Sequence, residues 1–169
     1  MSNIHRLKTT DKIFFITTNL NLGDRLFDEP EYQIVAETIV RERRRLGFLL
    51  FGYVLMPDHW HALIWTPSPI TISDVLQNVK RVSSFKINRL RRTRGSRWQH
   101  QFWDRFVRDT KEFGERLEYM HMNPVRKGLV EKPEQWRWSS YNNFSLDKSI
   151  VARCPTQIDY VHLPDNYRA

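Results

Sequence analysis

The chain has a single cysteine, Cys154, so it can build neither an internal disulfide framework nor a cysteine-based zinc site. No stretch approaches the roughly 20 apolar residues of a membrane span, and Met1 to Thr10 lacks the apolar core of a signal peptide. The expected setting is therefore cytoplasmic, with no membrane partner. Acidic residues are missing from one long block. None occurs from Val75 to Trp103, whereas Lys80, Arg81, Lys86, Arg89, Arg91, Arg92, Arg94 and Arg97 are basic. These eight match the whole net charge of +8, so the rest of the chain is neutral. A one-sided stripe of this kind is the electrostatic footprint of a polyanion-binding face, and nucleic acid is favoured over a merely solvated helix or an anionic membrane.

What is present is an ordinary globular balance, 40% hydrophobic and 27% charged over 169 residues. It reads as one domain, 1–169, with a core at about 12–130 and a C-terminal extension at about 131–169. Lys12 to Thr18 is apolar, β-branched and aromatic, and reads as a buried first strand. Pro30 lies where a helix can begin; Ile34, Val35, Thr38, Ile39 and Leu46 recur at helical spacing, and Gly47 offers a stop. Phe48–Leu55 and His59–Trp65 read as a hairpin turning at Met56-Pro57-Asp58, closed by Pro67 and Pro69. A second helix, capped by Thr71 or Ser73, directs Val75, Leu76, Val79, Val82 and Leu90 to the core. Trp103–Arg108 reads as the last strand.

Asp109, with Glu112 three residues on, opens a third helix. Phe113, Leu117 and Met120 form its buried face, while Glu112, Arg116, Tyr119 and Asn123 form a separate stripe. Pro124 and Gly128 are expected to end it. Pro133–Tyr141 reads as packed back on the core, and the chain after Asn142 is weakly patterned, with room for mobility. The order strand-helix-strand-strand-helix-strand is that of a ferredoxin-like α+β fold: a β-α-β-β-α-β antiparallel sheet with helices on one face, followed by the Tyr119 helix and a C-terminal tail. In that arrangement the first and third strands are central, which places the His59 strand mid-sheet.

His59-Trp60-His61 lies in a strand, where alternate side chains share a face, so both imidazoles point one way and Trp60 the other. Such a pair can hold a divalent metal, although one bonded and one exposed ring is an equally ordinary arrangement. Asp58 either orients the first histidine or serves the turn. His121 would complete a three-histidine zinc site, which would imply hydrolysis. It lies about 160° around the helix from Tyr119, so the two are not expected to serve one metal together.

Three motifs carry a more specific resemblance: Val54-Leu55-Met56-Pro57-Asp58-His59-Trp60-His61, Tyr119-Met120-His121-Met122-Asn123-Pro124-Val125-Arg126-Lys127-Gly128-Leu129-Val130, and Trp136-Arg137-Trp138-Ser139-Ser140-Tyr141. Together they resemble the REP-associated tyrosine transposases, which belong to the His-hydrophobic-His single-strand endonucleases. The resemblance implies that His59 and His61 bind Mg²⁺ or Mn²⁺ and that Tyr119 is a nucleophile forming a 5′-phosphotyrosine. Asn123 would be a polar third ligand, direct or through water, where relatives often carry Gln. It also implies a nucleoid-associated enzyme acting on single-stranded DNA hairpins from repetitive extragenic palindromes, with monomer favoured over homodimer. A phenol, with an ordinary pKa near 10, needs such metal assistance at neutral pH. Lys80, Arg81, Arg91, Arg92, Arg94 and Arg97 are the candidate phosphate contacts, and Trp98, Trp136 and Trp138 are candidates for stacking on bases, each with a core role as the alternative. A non-cleaving DNA-binding module of the same fold is the second reading.

Overall fold

The computed structural model describes residues 4–7 and 11–168; residues 1–3, 8–10 and 169 lie outside it, and with them most of the segment read for a leader. The elements are β1 (Ile4–Arg6), β2 (Ile13–Asn19), α1 (Glu29–Leu46), β3 (Leu49–Leu55), β4 (His59–Trp65), α2 (Ile72–Arg91), β5 (Trp103–Phe106), α3 (Thr110–Arg126), α4 (Lys148–Ala152) and β6 (Tyr160–His162). β2 to β5 form one antiparallel sheet in the order β3-β4-β2-β5, so the expected α+β architecture is present, with β2 and the histidine strand central.

The pleat divides the sheet's residues between two cores. On one face Ile16, Trp60, Ala62 and Ile64 pack with Val35, Ile39, Val75 and Val79 of α1 and α2. On the other, Ile13, Phe15, Val54 and Leu63 pack with Met120 of α3. Trp60 is fully buried, and truncating a residue so placed typically costs about 3–5 kcal/mol. The histidines that flank it are thereby fixed on the α3 side.

Each helix starts where its capping residues predict. Asp28 with Glu31 and Thr71 with Asp74 form reciprocal capping boxes, and Asp109 accepts from the Glu112 backbone N–H. Glu112 does not complete the third box, because its carboxylate accepts from the Arg108 backbone N–H instead. Three expectations are corrected. Leu90 is exposed, and Ile87 takes the core position a turn earlier. Pro124 lies inside α3, and the helix ends two residues later: Gly128, at φ 68°, bonds Val125 O while Leu129 N–H reaches Pro124 O. The chain after Asn142 is packed: Thr156, Ile158 and Tyr167 are buried, and β6 pairs in parallel with β1.

That extension also closes one edge of the sheet. Along the outer side of β3, Asp159 accepts from Leu50 N–H, Ser140 Oγ accepts from Tyr53 N–H, and Leu55 N–H bonds Trp138 O. The opposite edge strand, β5, has no such cover among the described residues, and all four of its residues are exposed. α3 approaches the sheet closely at Gly52, where β3 bulges. A Cβ there would meet Leu117 Cδ1 at 2.6 Å and Met120 Cε at 3.1 Å.

Candidate active site

His59 and His61 emerge from β4 on the α3 face with ring centroids 4.7 Å apart. In each ring Nδ1 is engaged. His59 Nδ1 donates to Asp58 Oδ1 at 2.5 Å, and His61 Nδ1 lies 2.8 Å from Thr17 Oγ1 on the neighbouring strand. The opposite nitrogens, Nε2, are left for a ligand. Burial, reinforced by His59 alongside, pushes the His61 pKa down to about 3, so the ring is neutral near pH 7, the form that ligates metal.

Tyr119 projects from α3 onto the same face. Its ring packs edge-on against His61 at 5.5 Å and Phe15 at 6.2 Å, and it stays 40% exposed. Phe15 is the hub of this face: it stacks on His61 at 5.5 Å, takes the edge of Trp103 at 5.9 Å, and carries the Arg116 guanidinium over its ring. The Arg126 guanidinium lies 5.5 Å over the Tyr119 ring. Asn123, one turn beyond Tyr119, is buried, and among the described residues its side-chain amide makes no hydrogen bond. Two imidazoles whose Nδ1 atoms are already engaged could offer their other nitrogens to a divalent ion, with Asn123, on the same helix as Tyr119, as the candidate oxygen donor.

Glu112 organises the cations beside this face. Arg108 and Arg116 donate to it at 2.9 and 3.1 Å, and Arg105 lies 3.6 Å away. Burial pushes its carboxyl up, but hydrogen bonds from the Arg108 side chain and backbone and from Arg116 outweigh it and hold the pKa at about 2. His121 points elsewhere. Its Nε2 lies 2.9 Å from Ser140 Oγ, its ring packs on Tyr141 and Phe144, and burial lowers its pKa to about 4. The three-histidine zinc site therefore does not assemble, and no cluster of three His, Cys, Asp or Glu side chains suited to a metal occurs among the described residues.

The basic stripe divides in two. Arg81, Arg92 and Arg94 are exposed. Arg91 is instead committed to the buried Glu31, and to Asp24 at 3.4 Å, while Arg97 donates to Asp24 at 2.9 Å. Lys80 bonds the carbonyls of Gln99, His100 and Gln101, fastening that segment to α2; burial takes its pKa down to about 8. Trp98 and Trp138 are core residues, donating to Ser83 Oγ and Glu29 Oε2, and offer no free ring face for a base. Trp136 is half-buried and donates to Leu55 O. The exposed tryptophan is Trp103, at 47%. Thr17, Phe15, Trp103 and Arg126 were not legible as site residues, since strand register and helix rotation bring them to the histidines, whereas Arg116 already shared the helix stripe of Tyr119 and Asn123.

The family model described as Transposase IS200 like matches residues 23–112, which span both histidines and end in the first turn of α3. The chain belongs to the IS200-like transposase family. It is 26% identical over 144 residues to the REP-associated tyrosine transposase of Escherichia coli, covering 84% of each chain. It is 25% identical over 152 residues to a putative REP-associated tyrosine transposase of Haemophilus influenzae, covering 84% of this chain and 86% of that one. Its fold is similar to the structure of a REP-associated tyrosine transposase bound to a REP hairpin, with TM-score 0.69, 24% identity and coverage of 96% and 92%. A putative transposase from Deinococcus radiodurans is similar at TM-score 0.51 and 13% identity, covering 69% of this chain and 94% of that one. Among the described residues of this family member, no helix is long and apolar enough to cross a membrane.

Proposed function

We propose that this IS200-like family member is a metal-dependent single-strand DNA endonuclease and strand transferase with Tyr119 as its nucleophile. The observation that carries the reading is the Tyr119 ring seated against His61 on an open, cation-lined face whose two imidazoles have their Nδ1 atoms already engaged. His59, His61 and Asn123 would hold Mg²⁺ or Mn²⁺. Bound there, the ion supplies Lewis-acid polarisation of the scissile phosphate and charge neutralisation.

Tyr119 Oη attacks phosphorus as its proton is lost to solvent, the P–O3′ bond breaks, and the departing 3′-oxygen takes up a proton. The result is a 5′-phosphotyrosine and a free 3′-hydroxyl. Because the phosphodiester's energy is kept in the tyrosyl ester, another 3′-hydroxyl can reverse the attack and join strands. Arg126, with its guanidinium over the Tyr119 ring, is the cation we assign to the scissile phosphate's negative charge. The substrate class we assign is hairpin DNA derived from repetitive extragenic palindromes, the ligand in the similar transposase structure. Arg81, Arg92 and Arg94 are left as the candidate contacts of the predicted stripe for its backbone. The form we assign the protein is a monomer acting at the nucleoid.

The test is incubation with labelled hairpin oligonucleotides and Mn²⁺ or Mg²⁺, resolved on a denaturing gel. A metal-dependent adduct is expected on Tyr119, and Tyr119→Phe is expected to lower cleavage more than about 1000-fold while leaving hairpin affinity nearly unchanged. Tight binding with no adduct in the wild-type protein would instead identify a non-cleaving DNA-binding module.

A further inference from the structure

β5 pairs with β2 so that Trp103 lies opposite Thr17, and Thr17 lies opposite His61 on β4. Opposed residues of antiparallel strands share a face. Trp103, Thr17 and His61 therefore form one row across the sheet, and two strand spacings put Trp103 about 10 Å from His61. The next row runs Arg105, Phe15, Leu63 on the same face. Trp103 is half-exposed and Arg105 extends beside it at 43% exposure, at the one edge of the main sheet that the C-terminal extension leaves open. Trp103 and Tyr119 contact the same ring, Phe15, so the indole and the proposed nucleophile flank one ring on this face of the sheet.

We infer that Trp103 is a stacking platform for an unpaired base flanking the scissile phosphate, with Arg105 and Arg116 holding the adjoining backbone phosphate. The inference rests on the single-strand cleavage reading and adds to it a place for the strand beside the cut. Charge selects the occupant: Arg105 and Arg116, with Arg108, all reach the one carboxylate of Glu112, while Asp109 and Glu115 act on Arg108, so Arg105 and Arg116 are the guanidiniums the cluster leaves under-neutralised. An aromatic face beside spare guanidiniums is the chemistry that binds a single strand, since every base has a π face and every linkage an anion. Trp103 donates no hydrogen bond among the described residues, and its ring is not needed to fill either core. Among the described residues its one aromatic contact is with Phe15.

The experiment is a double-mutant cycle between protein and DNA. Wild type, Trp103→Ala and Trp103→Phe are assayed on hairpin oligonucleotides in which a single abasic residue is stepped across the cleavage site. KM for cleavage is read in the active proteins, and Kd in the same proteins carrying Tyr119→Phe. Trp103→Ala is expected to raise KM and Kd about tenfold, with Trp103→Phe recovering most of that loss. At one position beside the scissile phosphate an abasic residue costs wild type about tenfold and costs Trp103→Ala nothing further. A purely structural role would lower activity without this position-dependent coupling. Undiminished KM in Trp103→Ala, or abasic penalties that simply add to the substitution, overturns the inference even though Tyr119 still forms its adduct. Absence of any adduct in wild type overturns the cleavage reading instead, and the Kd cycle still reports on Trp103. Light scattering on wild type and Trp103→Ala adds a last arm: a dimer lost on substitution shows that a second copy covers this edge, and also overturns the inference.

Discussion

An imidazole becomes a dependable metal ligand when its second nitrogen is occupied, because that contact fixes both tautomer and ring orientation. Asp58 does this for His59 and Thr17 for His61. Asp58→Asn is expected to weaken Mn²⁺ binding about tenfold, at the lower end of the range for such partners because the carboxylate is 62% exposed. Calorimetric titration of Mn²⁺ into the Tyr119→Phe protein checks it, and unchanged affinity would refute the orienting role. That His59 and His61 share a face was legible because their spacing is local: an alternating strand puts them together whatever the rest of the chain does. Thr17 was not, since it reaches His61 only through the register between β2 and β4, strands separated by 44 positions at that bond. The same distinction holds for the arginines. A run of basic residues is visible in one dimension, but that Arg91 is spent on Glu31 and Arg97 on Asp24 depends on how α1, α2 and the intervening loop meet.

Among the elements, α3 carries Tyr119, the proposed nucleophile, and its height above the sheet is set by a glycine. Gly52 sits in the β3 bulge, where Leu117 and Met120 of α3 fill the space a side chain would take. Gly52→Val is therefore expected to lift α3 and with it Tyr119. Cleavage should fall roughly 10- to 100-fold, because displacement of reacting groups by about 1 Å is that costly. Stability should fall only about 1–3 kcal/mol, since flexible side-chain ends can yield. Single-turnover cleavage set against urea unfolding separates the two, and intact cleavage in the folded variant would show that α3 is positioned otherwise. The elements themselves were largely legible, through capping residues and through alternation that differs between strand and helix. Pro124 misled because proline disfavours a helix interior generally, yet here it occupies the last turn, where a left-handed Gly128 and the Leu129 N–H complete the ending.

For the whole molecule, the C-terminal extension is a structural part of the sheet. Its weak periodicity hid this, because short helices and a three-residue strand bury side chains singly: Thr156 against Ala36, Ile158 beside the α1 core, Tyr167 below Ile13. Removing residues 146–168 also strips Asp159 from the Leu50 N–H and leaves β1 unpaired. The truncated protein is expected to lose at least about 3 kcal/mol, the scale on which buried contacts and edge hydrogen bonds act together. Chemical denaturation followed by circular dichroism measures it, and an unchanged midpoint would mean that the extension merely lies on a self-sufficient core.

The parallel pairing of β1 with β6 joins residues 4–6 to residues 160–162, with the whole catalytic sheet between them in sequence. Nearly the full chain must therefore be synthesised before its first strand can find a partner. The central sheet, built from nearer contacts, can collapse while that strand still waits. Closing so long a loop is slow but adds little entropy beyond that of a loop half its length. The β1–β6 pair thus sets a late step in maturation: a nascent chain can already hold its histidines and tyrosine in place while its N-terminal strand is still unpaired and open to capture by another chain.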